Sequence, residues 1–173
     1  HAYNTGKLFR SAKYEKLAPC TPKGVIRILE DNKIPIKGQN VVVIGHSDIV
    51  GKPLAVMLLN RDATVTIAHK HTKDLKSLTL TADILVSAVG KKHLVTKDMV
   101  KEGAVVIDVG FSKEGKKIYG DCDFDALNGH VSAISPVPGG AGPMTVALLI
   151  ENTLNSYKWW QKHNFSSKDV LLD

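Results

Sequence analysis

Two glycine-bearing segments hold the residues best suited to chemistry. Gly45-His46-Ser47-Asp48-Ile49-Val50-Gly51-Lys52-Pro53 follows an apolar β-branched run, Val41-Val42-Val43-Ile44, and precedes a helical pattern. A glycine at that turn lets the chain bend sharply, and the free N–H groups of the next helix can cradle a pyrophosphate. The strict G-x-G-x-x-G spacing is absent: Ser47 holds the second glycine position, Val50 the third, and Gly51 comes one residue late. Ser47 adds a hydroxyl donor. The alternative is a plain strand-to-helix turn without a ligand.

The second segment is Pro136-Val137-Pro138-Gly139-Gly140-Ala141-Gly142-Pro143-Met144-Thr145. Two prolines stiffen its entry and three glycines bare its backbone. It offers a rigid wall of N–H and C=O groups suited to a flat heteroaromatic ligand. Between the two segments, His69-Lys70-His71-Thr72-Lys73 stands where an NAD site usually carries an acid, about 20 residues beyond the first glycine. Cations replace the carboxylate, so Lys70, and His46 when protonated, favour a 2′-phosphate and hence NADP over NAD. A solvated basic loop is the competing reading. Gly90 and Gly110 each close a strand and would admit a ribose or nicotinamide close to the backbone. Asp108, Asp121 and Asp123 read better as turn and cap residues than as catalysts.

These residues need a scaffold that gathers them on one edge. Strands are expected at Val41–Ile44, Ala63–Ala68, Asp83–Val89, Ala104–Val109 and Val131–Ile134. Helical segments are expected from Thr21 (N-cap) and Pro22, from Leu54 to Leu59, at Lys73–Leu80 and Thr96–Lys101, and over Gly142–Trp160. Apolar runs lacking polar alternation mark strands buried on both faces. The alternation predicts an α/β, Rossmann-like, doubly wound and mainly parallel sheet with helices on both faces, whose ligands lie beyond the carboxyl ends of the strands.

With 173 residues, 43% of them hydrophobic, the chain suits one domain with its own core. Cys20 and Cys122 make neither a disulfide framework nor a metal-ligand spacing, so no metal is expected. No apolar run is long enough for a membrane span. The net charge of +6 raises the question of nucleic acid, but the lysines are dispersed and aromatics make up only 6%. That pattern lacks a basic arm with stacking residues and suits a small polyanion better. Trp159 and Trp160 read as a docking surface near the C-terminus. The expected organisation is a dinucleotide-binding unit over residues 1–160 and a tail over 161–173.

The chain resembles the bifunctional methylenetetrahydrofolate dehydrogenase/methenyltetrahydrofolate cyclohydrolases. The resemblance is carried by Pro19-Cys20-Thr21-Pro22-Lys23-Gly24, Val43 to Pro53, Val106-Ile107-Asp108-Val109-Gly110, Gly120-Asp121-Cys122-Asp123-Phe124, and Pro136 to Thr145 continued by Glu151-Asn152-Thr153. It extends from Tyr3 to about Trp160. It implies NADP-dependent oxidation of 5,10-methylenetetrahydrofolate, with NAD the alternative, and hydrolysis of the methenyl product to 10-formyltetrahydrofolate. One-carbon metabolism feeding purine biosynthesis is the implied setting.

By resemblance, Gly45, His46, Ser47, Lys70 and Phe111 fall at dinucleotide contacts, joining Gly90 and Gly110. Pro138, Gly139, Gly140, Ala141 and Gly142 fall at the tetrahydrofolate-contacting loop. His46 stands where the family usually has Arg, and Lys70 where Ser or Arg is common. The family's catalytic lysine, in a Tyr-x-x-x-Lys helix, and its supporting glutamine and aspartate have no counterpart here; Tyr14-Glu15-Lys16 does not fit the pattern. The resemblance therefore implies an N-terminal catalytic domain upstream of His1, no catalytic residue within the chain, a homodimer, and a cytoplasmic setting with a mitochondrial one left open. Two other readings remain: a different dehydrogenase of the shikimate or amino-acid type, and a non-catalytic dinucleotide-binding module.

Overall fold

The computed structural model describes residues 2–163. The β-branched run becomes strand β1 (Asn40–Ile44), and β2 (Thr64–Ala68), β3 (Ile84–Ser87), β4 (Val105–Asp108) and β7 (Ala133–Ile134) join it in one sheet of order β2-β1-β3-β4-β7. Every pairing in that sheet is parallel. The remaining strands, β5 (Ser112–Glu114) and β6 (Lys117–Tyr119), form a separate antiparallel hairpin between β4 and β7. The helices are α1 (Ala2–Leu8), α2 (Cys20–Asp31), α3 (Gly51–Leu59), α4 (Leu75–Thr79), α5 (Phe124–Leu127) and α6 (Ala141–His163).

The strand period of two distributes β1 over two cores. Val41 and Val43 pack with Val25, Leu29, Leu54, Met57 and Leu58 from α2 and α3. Val42 and Ile44 face the other side, with Leu85, Val95, Val106 and Leu127. Both faces of the sheet are thus covered, which is why β1, β3 and β4 carry apolar runs without polar alternation. Edge strand β2 lacks such a run: Thr64, Thr66 and Ile67 are exposed, Val65 is half-buried and Ala68 is buried.

Several boundaries differ from expectation. Thr21 is not the N-cap of its helix: α2 starts at Cys20 behind Pro19, which offers no side-chain cap. The Thr21 hydroxyl is used in tertiary contact, 3.1 Å from Thr145 Oγ1 on α6. The crossover expected over Lys73–Leu80 contracts to α4, because Asp74 caps it by accepting from Ser77 N–H. Thr96–Lys101 contracts to a short 3-10 turn at Lys97–Met99. Helix α6 begins one residue before Gly142 and continues to His163, past Trp160. Of the expected tail, residues 164–173, including Phe165, lie outside the described residues.

Contacts distant in sequence tie the N-terminal segment to this frame. Glu15 is buried and pairs with Arg61 at 2.9 Å, while Arg61 also reaches Glu30 at 2.8 Å. Lys23 on α2 pairs with Glu151 on α6 at 2.6 Å. The Lys23 ammonium holds the Glu151 carboxyl below the usual carboxylate range, with Arg27 adding to the effect. Among the described residues, no helix is long and apolar enough to cross a membrane.

Candidate functional site

The parallel strands end on a common edge, and the segments singled out from sequence emerge there. At the end of β1, Gly45 has φ of +113°, and a Cβ there would lie 2.5 Å from the Ala88 carbonyl at the end of β3. A side chain on Gly51, the first residue of α3, would collide with the Gly45 carbonyl. The two glycines therefore let α3 start directly against the strand end. Gly51 does the helix-packing work expected of a third fingerprint glycine, although its sequence position is one residue late. Between them, Ser47 Oγ accepts from Val50 N–H at 3.2 Å, closing a turn and leaving its own proton free to donate outward.

At the neighbouring end of β2, the His69 ring packs on His46, with ring centroids 4.8 Å apart. Lys70 and His71 beside it are exposed. The basic loop read from sequence is thus brought against the glycine turn, as a site for a phosphorylated ribose requires.

The middle of the edge is organised by two buried carboxylates. Asp121 is fully buried; its Oδ2 accepts from Ser87 Oγ (2.8 Å) and Val89 N–H (2.7 Å), and its Oδ1 from Lys91 N–H (2.7 Å). Asp108 accepts the N–H groups of Gly110, Asp121 and Cys122 at 2.8–3.0 Å. Burial pushes the Asp108 carboxyl above its usual range, against the lowering effect of those three donors. The turn-bonding role expected for Asp108 and Asp121 is what the geometry shows, and Asp123 caps α5 through Ala126 N–H.

This arrangement gives Gly110 a different reason to be glycine. Its missing side chain leaves room for the Asp121 carboxyl group, not for a ligand. Gly90, with φ of +78°, sits beside the Phe111 carbonyl, and the Phe111 ring is 61% exposed at the rim. Burial also pushes the Cys122 thiol far up, beneath the same carboxylates.

At the β7 end of the edge, Pro136–Thr145 forms the turn into α6. The Val137–Pro138 peptide is cis, and Gly140 N–H donates to the Pro136 carbonyl at 2.9 Å. Pro138, Gly139 and Gly142 are exposed, Ala141 is buried, and a Cβ on Gly142 would meet open space. The loop presents backbone to the rim, as its composition requires. The arrangement can hold an elongated anionic ligand laid along the edge, from the imidazoles at β1 and β2 to the prolyl-glycyl wall at β7. The buried Asp clamp was not legible as a unit, since its partners are distant in sequence; the Gly-Asp-Cys-Asp turn was its only local trace.

A family model described as the tetrahydrofolate dehydrogenase/cyclohydrolase NAD(P)-binding domain matches residues 19–161. The chain is similar to the bifunctional protein FolD of Methanosarcina barkeri, with 57% identity over 154 residues, covering 89% of this chain and 53% of that protein. Among solved structures, the Campylobacter jejuni bifunctional FolD dehydrogenase/cyclohydrolase superposes with a TM-score of 0.84 at 47% identity, over 91% of this chain and 56% of the other. The Trypanosoma brucei enzyme, solved with NADP cofactor and an inhibitor, gives a TM-score of 0.86 at 39% identity, over 91% and 56%. The chain spans about half the length of the curated relatives it matches.

Proposed function

The chain belongs to the tetrahydrofolate dehydrogenase/cyclohydrolase family through its NAD(P)-binding domain, and on that premise we propose that it binds NADP along the carboxyl edge of the sheet as the cofactor half of a bifunctional enzyme. That enzyme oxidises 5,10-methylenetetrahydrofolate to the methenyl form and hydrolyses it to 10-formyltetrahydrofolate. The observation that carries the reading is the Gly45–Gly51 approach, close enough that a Cβ on either glycine would meet backbone, which brings the start of α3 against the end of β1.

The residues fit the cofactor. The pyrophosphate meets the N–H groups at the start of α3 and the Ser47 hydroxyl. His46 and Lys70 meet the 2′-phosphate. Gly90 and Phe111 flank the ribose and nicotinamide, where Phe111 excludes water from one side. Pro138, Gly139, Gly140, Ala141 and Gly142 hold the pterin of tetrahydrofolate against the nicotinamide. Bound NADP supplies the hydride acceptor. The chain's own residues bind and orient; the lysine, glutamine and aspartate that handle protons in this family belong to an N-terminal catalytic domain. We assign the cofactor unit to residues 1–160, with 161–173 as a tail, and the assembly as a homodimer acting in the cytoplasm and feeding purine biosynthesis.

Isothermal titration of the 173-residue chain with NADP, NAD and a folate analogue tests this. Saturable NADP binding, tighter than NAD, is expected. Retention of neither dinucleotide would overturn the reading, and retention of shikimate but not the folate analogue would move the substrate to the other dehydrogenase class.

A further inference from the structure

Strand β7 spans Ala133–Ile134 at the edge of the sheet and pairs with β4 through Val105↔Ala133 and Val106↔Ile134. So short a ladder gives the wall that follows it, Pro136–Gly142, little to hang on. Ser135 N–H extends the ladder by one bond, donating to the Val106 carbonyl at 3.0 Å. In a continuing parallel pair the next bond would run from Asp108 N–H to the Ser135 carbonyl. The Ser135 hydroxyl takes that place. Asp108 N–H donates to Ser135 Oγ at 2.8 Å, and the same hydroxyl lies 3.4 Å from the Asp108 carbonyl. The chain can then turn away into Pro136 without leaving a buried N–H unpaired. Asp108 and Ser135 are both buried. A Cβ on Gly140 would lie 3.1 Å from Ser135 Cβ, so the Ser135 side chain forms the floor beneath the wall.

Asp108 holds the opposite side as well. Its carboxylate accepts from Gly110 N–H at 2.8 Å, next to the exposed Phe111. We propose, resting on the dinucleotide reading above, that Ser135 is a positioning residue: its hydroxyl, acting through Asp108, fixes the wall at Pro138–Gly142 against the rim at Phe111 and so sets the slot that receives the flat ring of the dinucleotide. Asp108 is bonded to the wall through its backbone and to the rim through its carboxylate. The Gly120–Cys122 turn closes the same junction. Asp121 and Cys122 N–H reach the Asp108 carboxylate at 3.0 and 2.8 Å, and a Cβ on Gly120 would meet both that carboxyl and Val137 Cγ2 of the wall. The consequence is selective. Loss of the hydroxyl loosens the slot at β4 and β7 and leaves the phosphate end, three and four strands from β7, as it was.

The test is calorimetric titration of the full 173-residue chain with NADP and with 2′-phospho-ADP-ribose, which lacks only the nicotinamide ring, well below the unfolding midpoint. The affinity ratio of the two ligands reads the ring slot alone. Ser135→Ala should cut that ratio about fivefold, the worth of one neutral hydrogen bond, with 2′-phospho-ADP-ribose bound as before. Ser135→Thr, which keeps the hydroxyl, should restore the wild-type ratio. A purely structural role would lower stability and leave the ratio alone. In the wild type, NADP should slow amide exchange at both Gly110 and Gly140, and 2′-phospho-ADP-ribose at neither; this measurement stands even where Ser135→Ala does not fold. A wild-type ratio of one, an unchanged ratio in Ser135→Ala, a Thr variant that behaves like Ala, or NADP protection confined to one of the two glycines overturns the proposal while leaving dinucleotide binding intact. If neither ligand binds, the underlying site reading falls, and this proposal with it.

Discussion

Replacing Asp121 by Asn tests whether one buried carboxylate holds the middle of the ligand edge. The side chain keeps its size but exchanges one oxygen for an NH2 group. Oδ2 serves two donors, Ser87 Oγ and Val89 N–H, whereas Oδ1 serves Lys91 N–H alone. The amide oxygen will therefore take the Oδ2 place, leaving Lys91 N–H against another donor. A partly buried donor without a partner costs about 1–3 kcal/mol, and loss of charge assistance at the other two bonds adds about 1 kcal/mol. Relief of the repulsion with Asp108 returns part of this. A net loss of about 2 kcal/mol follows, or a fall in Tm of roughly 4–8 °C for a chain of this size. Urea unfolding at pH 7 measures the first quantity and a thermal scan the second. Faster amide exchange at Val89 and Lys91, ahead of the strand amides of β3, would show that the 89–91 segment is what loosens, and NADP binding should weaken with it. A loss below about 1 kcal/mol with unchanged exchange would refute the clamp.

Other outcomes follow from the same geometry. Gly51→Ala should destabilise the chain by about 2 kcal/mol or more through collision with the Gly45 carbonyl, whereas Gly142→Ala, whose Cβ enters open space within α6, should raise stability by about 0.4–1 kcal/mol; denaturant titration of both separates strain from ligand contact. Native-state alkylation followed by mass spectrometry should label half-buried Cys20 and spare Cys122, whose thiol is buried and pushed up. Glu151, held below its usual range by Lys23, contributes stability that is fully present above the unfolded-state value of about 4.3 and is lost as pH falls through the lower folded-state value. Glu151→Gln should therefore lower Tm at pH 7 while flattening the decline below pH 4, and equal acid sensitivity in both proteins would contradict the α2–α6 ion pair.

The sheet was legible because its strands are buried on both faces, a condition that writes Val41-Val42-Val43-Ile44 and Ile84-Leu85-Val86 as unbroken apolar runs. The long helix α6 and the two glycine loops were legible for related reasons, since Gly45 and Pro136–Gly140 answer local backbone demands. The Thr21 hydroxyl misled, because a cap signature looks the same whether the oxygen meets its own helix or, as here, Thr145 across the interface with α6. The β5–β6 hairpin left no strong pattern: its three-residue strands are too short to show a period. The Asp121 clamp joins residues 30–34 positions apart, so nothing local could indicate that Gly110 is small for a carboxylate's sake.

The division of labour along the rim follows from the sheet order. Strand β1 lies three steps from β7 and β2 four, which at about 4.8 Å per step separates the histidine cluster from the prolyl-glycyl loop by roughly 14–19 Å. His46, His69, His71 and Lys70 therefore cannot serve a reacting atom held at Pro138–Gly142. Beneath the middle of the edge, Asp108 and Asp121 are wholly engaged by backbone and hydroxyl donors, and freeing either to move a proton would dismantle the loops it holds. A ligand that touches both ends must be long, with its phosphates at β1 and β2 and its flat ring near β7, which is the shape of a dinucleotide lying on the strand ends. The wall near β7 is built from backbone and glycine, so on the proposed reading proton transfer at a ring held there calls for side chains beyond this rim.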